Sequence, residues 1–262
     1  MSEHPPAARL YVEDALVQGA ELGLDADRAH YLRNVLRLEP GASVALFNGR
    51  DGEWLGHIDA VDKRRATVSL RRQLRPQAVE PDLWLCFAPI KKARIDFIAE
   101  KATELGVSAL QPVFTRHTAM TRVNVERLRA NAVEASEQTE RLSVPAVREP
   151  LALEDLLQAW PAGRRLLLAD EAGGGRPIAQ ALAGLDETAK RSPWALLIGP
   201  EGGFARAELD ALRKLPFVTA VGLGPRILRA DTAALAALAC WQALLGDWQL
   251  PTPHLSGDYR HR

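Results

Sequence analysis

The sequence is poor in cysteine, has no excess charge of either sign and contains no long apolar segment. The two cysteines, Cys86 and Cys240, have no second Cys or His at ligand spacing, which argues against a disulfide framework and a metal site. The 33 basic and 33 acidic residues cancel, so a surface that attracts nucleic acid has to be local. No apolar stretch reaches the roughly 20 residues of a membrane span, and the N-terminus lacks a secretion signal. These absences predict a soluble cytoplasmic protein without a membrane anchor.

The first part of the chain has the pattern of short strands and turns. Of the 262 residues, 47% are hydrophobic, which is enough to bury a core in one or two domains. A helix is predicted over 25–36, with Asp25 as its N-cap. Strands are predicted at 43–47, 53–58 and 66–70. This pattern favours a small β-barrel over residues 1–75.

From Asp82 onward, apolar strands alternate with amphipathic helices. Continuous apolar strands followed by helices are typical of a mostly parallel sheet that is covered on both faces. The predicted strands are 83–88, 109–114, 165–169, 194–198 and 218–223. The predicted helices are 92–105, 125–141, 206–215 and 232–245. The sequence therefore predicts an α/β domain over residues 76–262, with surface loops at 148–150 and 171–177.

Two glycine-proline turns near the C-terminus carry the strongest functional signal. Gly199-Pro200 follows the strand 194–198, and Gly224-Pro225 follows the strand 218–223. Neither turn matches the phosphate-binding loop or the dinucleotide fingerprint. Each one alone is explained by a tight turn between a strand and a helix. Together, at the carboxyl ends of two adjacent strands, they predict one cleft where the backbone approaches a ligand closely.

The segments around these turns resemble a known protein family. Ile198–Phe204 and Leu223–Arg229 are similar to the signature of the RsmE-type 16S rRNA uridine-N3 methyltransferases, which belong to the SPOUT superfamily. His30–Arg37, Lys101–Val107 and Glu134–Pro145 resemble further segments of the same family. The resemblance therefore extends over nearly the whole chain.

The resemblance implies a fold, a cofactor and a substrate. The fold would be a PUA-like RNA-binding β-barrel over 1–75 and a SPOUT α/β domain over 76–262, with a deep trefoil knot at about 196–246. The cofactor would be S-adenosyl-L-methionine, and the substrate a uridine of 16S rRNA in the small ribosomal subunit. The residues expected to hold the cofactor are Ile198, Gly199, Pro200, Glu201, Gly202, Leu223, Gly224, Ile227 and Leu228. The alternatives are a SPOUT enzyme that methylates a ribose hydroxyl or guanine-N1, and a non-catalytic RNA-binding assembly factor.

Three arginines are candidates for catalysis. Loss of the N3 proton leaves negative charge on the uracil, and a guanidinium can stabilise that charge. Arg226 and Arg229 follow the second turn, and Arg116 follows the strand 109–114. A structural salt bridge is the alternative for each of them. Many members of the family have Thr-Glu-Thr where this chain has Ala230-Asp231-Thr232, which puts a catalytic role of that carboxylate in doubt.

Basic residues near the N-terminus are candidates for RNA binding. One group, at helical spacing, consists of His30, Arg33 and Arg37. The other consists of Lys63, Arg64, Arg65, Arg71 and Arg72, within a stretch that has no acidic residue from 63 to 75. Phosphate contacts from both groups would position the rRNA. A solvated surface without a ligand is the alternative.

The last predicted helix is apolar almost all round. From Ala233 to Leu245 only Gln242 is strongly polar, so packing one face on the sheet cannot bury the helix. We expect a homodimer interface to cover the rest, with burial inside a monomer as the alternative. In the central helix, Glu137 and Gln138 are either a structural surface pair or catalytic residues.

Overall fold

The computed structural model describes residues 5–250, apart from the side chains of Lys92 and Ala93. The described chain divides into two compact units. The first comprises residues 5–79 and 136–144, and the second comprises 80–135 and 145–250. The domain boundary between residues 75 and 76 stays a prediction.

The first unit is built on a five-stranded sheet in the order β1-β3-β4-β5-β2. Its strands are β1 (Arg9–Tyr11), β2 (Glu21–Leu24), β3 (Ser43–Phe47), β4 (Glu53–Val61) and β5 (Ala66–Arg75). β1 pairs with β3 in parallel, and the other pairs are antiparallel. Val44, Leu46, Ile58 and Val68 are fully buried and form part of the core of this unit. The strands predicted from the alternating pattern are therefore confirmed, although β4 and β5 extend further than predicted.

The helix predicted over 25–36 consists of two different segments. α1 (Ala26–His30) begins where Asp25 accepts a hydrogen bond from the Arg28 N–H at 2.9 Å, which confirms the predicted N-cap. A π-helical turn (Tyr31–Val35) follows it. Arg37 lies beyond this turn in the left-handed region, with φ 55°. The helical spacing predicted for His30, Arg33 and Arg37 is therefore wrong, because the chain leaves the α-helix after His30.

The second unit contains an eight-stranded sheet in which every described pair is parallel. The order is β11-β13-β10-β12-β6-β7-β8, and β9 also pairs with β7. The strands are β6 (Leu83–Phe87), β7 (Ala109–Phe114), β8 (Ala146–Val147), β9 (Leu151–Ala152), β10 (Arg165–Ala169), β11 (Arg176–Pro177), β12 (Trp194–Ile198) and β13 (Val218–Gly222). Their burial on both faces explains the continuous apolar runs in the sequence.

Helices cover both faces of this sheet. They are α2 (Lys92–Glu104), α3 (Val125–Gln138), α4 (Leu153–Gln158), α5 (Ile178–Ala183), α6 (Glu187–Lys190), α7 (Arg206–Leu212) and α8 (Ala230–Leu244). Side chains of α2, α3, α5 and α8 share one core with the sheet, while α4 and α7 contribute to a second core. The side chains of β12 point alternately into the two cores, with Trp194 and Leu196 in the first core and Leu197 in the second. The α/β architecture predicted from the sequence is confirmed.

Two details of this unit differ from the predictions. β12 and β13, which end in the two glycine-proline turns, are not adjacent, because β10 lies between them. The segment 171–177, predicted as a surface loop, ends in the edge strand β11, which pairs with β13.

The knot over 196–246 stays a prediction. Among residues 5–250, none of the helices combines the length and the apolarity that are needed to cross a bilayer.

Candidate active site

A cleft of about 720 Å³ opens at the carboxyl ends of β10, β12 and β13. Its walls come from three segments, 169–177, 198–203 and 221–230, each of which follows one of these strands. Apolar side chains and glycines make up most of the lining, together with a few charged groups. A volume of this size is in the range of about 300–1,000 Å³ that small-molecule and cofactor sites occupy.

The loop after β12, residues 199–204, is held tightly against the loop after β10. A side chain at Gly199 would place its Cβ 2.9 Å from the ring of Phe204. Gly203 has a φ of 69°, and a Cβ there would lie 2.6 Å from the Glu171 carboxylate. That carboxylate accepts a hydrogen bond from the Phe204 N–H at 2.8 Å. Both glycines are therefore required by close approach or by the left-handed backbone.

The loop after β10, residues 170–175, forms the wall between the two glycine-proline turns. Asp170 is buried, and its Oδ2 accepts hydrogen bonds from Arg213 Nε at 2.8 Å and Nη2 at 2.6 Å. Its Oδ1 accepts from the Ala172 N–H at 3.1 Å. Sequence reasoning missed this wall. The signal that could have revealed it is the run of glycines 173–175, which follows an apolar strand as the glycine-proline turns do.

The loop after β13, residues 223–229, is more exposed than the loop 199–204. Gly224 has a φ of 100°, and Ile227 is 91% exposed although it lines the cleft. Arg226 and Arg229 also line the cleft and are exposed. Within residues 5–250, neither guanidinium has an acidic partner at salt-bridge distance. Arg229 is also the N-cap residue of α8. The structural salt bridge that was the alternative for these two residues is therefore not formed with any acidic residue of the described part of the chain.

The cleft brings together most of the residues that were predicted to hold a cofactor. Those in its lining are Ile198, Gly199, Pro200, Glu201, Leu223, Gly224, Ile227 and Leu228. Gly202 is not in the lining, since a Cβ there would point toward His117, at 3.4 Å from its Cβ. Gly203 lines the cleft in its place. The assignment of these residues to a cofactor stays a prediction.

Arg116 and Asp231 lie near the cleft without being part of its lining. The Arg116 N–H donates to Glu208 Oε1 at 2.9 Å, while the side chain is exposed. Asp231 is the second residue of α8, and its Oδ1 accepts from the Thr232 N–H at 2.9 Å. Its Oδ2 lies 3.7 Å from Arg94 Nε. The Asp231 carboxylate thus has structural partners. No three metal-ligating side chains converge anywhere within residues 5–250.

The predicted RNA-binding residues of the first unit are all on its surface. The exposed ones are His30, Arg33, Arg37, Lys63, Arg64, Arg65, Arg71 and Arg72. In the turn between β4 and β5, the backbone N–H groups of Arg64 and Arg65 donate to Asp62 and lower its pKa. The charge of Arg33 lowers the same pKa further. Both basic groups are therefore accessible to a ligand.

Other charged residues of this unit serve its fold. Arg9 and Arg75 both bind the buried Glu53, with Arg75 Nε at 2.7 Å from Oε2. Burial raises the pKa of Glu53, but the hydrogen bonds from Arg75 and Arg9 outweigh it and leave the pKa below its usual value. Glu137 accepts a hydrogen bond from the Tyr11 N–H at 2.9 Å. This contact supports the structural alternative for Glu137.

The fold and the cleft define a class of protein, an α/β enzyme that can hold an organic cofactor, with a small β unit in the same chain. Residues 78–242 match the family model described as an RNA methyltransferase domain, and residues 24–71 match an RNA methyltransferase PUA domain. The chain belongs to the family of the ribosomal RNA small subunit methyltransferases E.

Its relatives cover nearly the whole chain. The protein with that name from Rickettsia conorii is 33% identical over 232 residues, which are 88% of this chain and 93% of the relative. The crystal structure of the Neisseria gonorrhoeae protein of that name, bound to S-adenosyl methionine, superposes with a TM-score of 0.81 at 27% identity. It covers 92% of this chain and 99% of its own. A Legionella pneumophila methyltransferase in complex with the same cofactor gives a TM-score of 0.80 at 27% identity, over 92% and 98% of the two chains.

Proposed function

We propose that the protein uses S-adenosylmethionine to methylate N3 of a uridine in the 16S rRNA of the small ribosomal subunit. The observation that carries this proposal is the cleft, with glycine-rich backbone on two sides and Arg226 and Arg229 at its edge. Family membership supports both the reaction and the class of RNA. We place the reaction in the cytoplasm, where ribosomal subunits are assembled.

The residues of the cleft fit S-adenosylmethionine. The volume of about 720 Å³ is adequate for a nucleoside with an amino-acid tail. Ile198, Leu223 and Leu228 offer apolar surface for the adenine, and the glycine turns leave backbone groups accessible. When bound, the cofactor supplies an electrophilic methyl group. The protein's own part is to hold the uracil in line with that group and to exclude competing nucleophiles.

Arg229 and Arg226 are suited to stabilise the uracil as its N3 proton passes to solvent water, which reaches this exposed edge of the cleft. The negative charge that develops is shared by the two flanking carbonyl oxygens of the base. A guanidinium presents several N–H donors in a fixed plane and keeps its charge throughout. Because both arginines line the cleft and have no acidic partner within residues 5–250, their charge is available to the substrate. We assign the main role to Arg229, whose backbone is fixed as the N-cap of α8.

Incubation of the purified protein with S-adenosylmethionine and small-subunit rRNA tests the reaction. A methyl group on N3 blocks Watson–Crick pairing, so reverse transcription is expected to stop at one uridine. Methylation of a ribose hydroxyl or of a guanine would replace the proposal with another enzyme of the superfamily. Absence of heat in a calorimetric titration with S-adenosylmethionine would instead indicate a non-catalytic RNA-binding factor.

We also propose that the protein is a homodimer that pairs through α8. One side of α8 is buried against α2, α5 and β12, and its Gln242 donates to the Leu105 carbonyl at 2.7 Å. The other side remains partly exposed although it is apolar. Its residues are Leu235, Ala236, Ala239, Ala243 and Leu244. Exposed Trp248 and Leu250 follow in the chain and enlarge the apolar area.

Sedimentation velocity at micromolar concentration tests the dimer. A single species of twice the mass of the chain is expected. Leu235→Glu together with Leu244→Glu should convert it to a monomer, because two charges cannot be buried in an apolar interface without partners. A wild-type protein that stays monomeric would contradict the proposal.

A further inference from the structure

The π-helical turn of the first unit turns an apolar side chain out to solvent. In a continuous α-helix, Leu32, Val35 and Leu36 would share one apolar stripe and face the core together. Here the Leu36 N–H bonds to the Tyr31 carbonyl at 3.0 Å, five residues back, which inserts one extra residue in the turn. Leu32 is fully buried, whereas Val35 is 59% exposed. Such turns often occur at functional sites.

Tyr31 and Val35 are both exposed and belong to the same π-helical turn. Tyr31 and Val35 are four positions apart in the chain. His30 and Asn34 have the same separation, and their side chains are hydrogen-bonded, with His30 Nδ1 at 2.9 Å from Asn34 Nδ2. Tyr31 is 36% exposed. The turn therefore exposes one aromatic ring and one aliphatic side chain to solvent.

The chain leaves this turn through Arg37 in a conformation that favours glycine. Arg37 has a φ of 55°, and the Leu38 N–H closes the turn on the Leu32 carbonyl at 2.9 Å. Glycine is the usual residue at such a helix end. An arginine here is strained, which suggests that its exposed side chain is needed for another purpose.

We propose that Tyr31 and Val35 form a platform on which an unpaired base of the RNA substrate stacks. This inference rests on the proposed function and adds the form of RNA that the first unit selects. Two exposed cations, Arg33 within the π-helical turn and Arg37 just beyond it, match the phosphates of a polyanion. An RNA duplex hides the faces of its bases, whereas an unpaired segment offers them to an aromatic side chain. An exposed aromatic side chain with arginines in and after the same turn thus fits single-stranded RNA.

The test compares the binding of a short single-stranded RNA with that of a blunt duplex of the same length, using the full chain and fluorescence anisotropy. Tyr31→Ala is expected to weaken single-strand binding at least about fivefold, as loss of base stacking does. Duplex binding should change less than twofold, and Tyr31→Phe should restore single-strand binding. Equal single-strand binding by Tyr31→Ala, or an equal loss for both RNAs, would overturn the inference.

Salt dependence separates stacking from phosphate contacts. Tyr31→Ala removes no charge, so the slope of log K against log salt should stay unchanged. Arg33→Gln should reduce the slope by about 0.7, the contribution of one phosphate contact on a single strand. A reduced slope for Tyr31→Ala would contradict stacking.

Two further variants control for folding. Val17 is 57% exposed, much like Val35, so Val17→Ala should leave RNA binding unchanged while Val35→Ala weakens it. Arg37→Gly relieves the strained backbone, so it should keep or raise the melting temperature and still weaken RNA binding.

The failure of this inference can be distinguished from the failure of the proposed function. If the wild-type protein methylates no uridine but binds single-stranded RNA, and Tyr31→Ala weakens that binding, the proposed function fails and the platform is kept. If it methylates its uridine and Tyr31→Ala binds RNA normally, the platform alone fails.

Discussion

The two loops that begin with glycine and proline, 199–204 and 223–229, differ in how firmly the fold holds them. In the loop 199–204, Phe204 is buried, and its N–H is bonded to Glu171, which follows a neighbouring strand. In the loop 223–229, Ile227 is 91% exposed, and the two arginines have no acidic partner within residues 5–250. Both loops line the same cleft.

This difference indicates that the two loops have different roles in binding. A cofactor that binds in every cycle benefits from a preformed wall, because little conformational entropy is then lost on binding. A substrate-binding loop has to keep its charges solvent-accessible until the RNA arrives. Substitutions in the loop 199–204 should therefore change cofactor affinity and stability. In the loop 223–229, substitutions of the arginines should change methyl transfer, and substitutions of the apolar side chains should change cofactor affinity with little loss of stability.

Arg229→Ala is expected to have the largest effect and to leave cofactor binding unaffected. Removing one preorganised donor to a developing anion typically costs about 100-fold to 1,000-fold in rate. Calorimetry should show S-adenosylmethionine affinity within about twofold of wild type. Arg226→Ala, on the same exposed loop, is the matched comparison and should lose less activity. An Arg229→Ala enzyme with normal turnover would remove this residue from the mechanism.

Replacing the left-handed glycine of each loop compares the loops directly. Gly224→Ala should lower the free energy of unfolding by about 1 kcal/mol, the cost of left-handed backbone, since no atom lies within 4 Å of the new Cβ. Gly203→Ala should cost about 2 kcal/mol or more, because the new methyl also displaces Glu171. Thermal unfolding of the two variants measures the difference. Equal costs would show that the loop 199–204 is no more constrained than the other.

The sequence predicted the strands of the second unit well, because parallel strands buried on both faces are continuous apolar runs. The strands 109–114, 165–169 and 194–198 were predicted with the bounds that the structure shows. Their order was not predictable in the same way. Each parallel pair depends on contacts far apart in the chain, so nothing local indicated that β10 lies between β12 and β13.

The parts of the site that were missed depend on this long-range order. Glu171 belongs to the cleft only because β10 lies between the two turns, and the glycines beside it were assigned to a surface loop. The π-helical turn was missed because Leu32, Val35 and Leu36 have the spacing of an ordinary α-helix. Conversely, both glycine-proline turns were found from the sequence, since the local reasons for glycine, close approach of Phe204 at Gly199 and a positive φ at Gly224, do not depend on the order of the strands.

Glu171→Ala should loosen the loop 199–204 without touching the arginines. Losing the acceptor of the Phe204 N–H is expected to weaken S-adenosylmethionine binding about tenfold, equivalent to about 1.4 kcal/mol, with a smaller change in the maximal rate. Glu171→Gln keeps an oxygen that can accept this hydrogen bond and should bind within about threefold of wild type. If both variants bind equally weakly, the carboxylate charge matters rather than the hydrogen bond.

Ile227→Ala should have the smallest effect on stability, and it therefore tests whether the loop 223–229 contributes to ligand binding without contributing to the fold. Because Ile227 is 91% exposed, the free energy of unfolding without cofactor should stay within about 0.5 kcal/mol of wild type. The same side chain lines the cleft, so a bound cofactor or base would cover it. Truncation should then reduce the gain in melting temperature that saturating S-adenosylmethionine produces. A stability loss of 2 kcal/mol or more in the apo protein, on the order of a core truncation, would show instead that the loop 223–229 is packed into the fold.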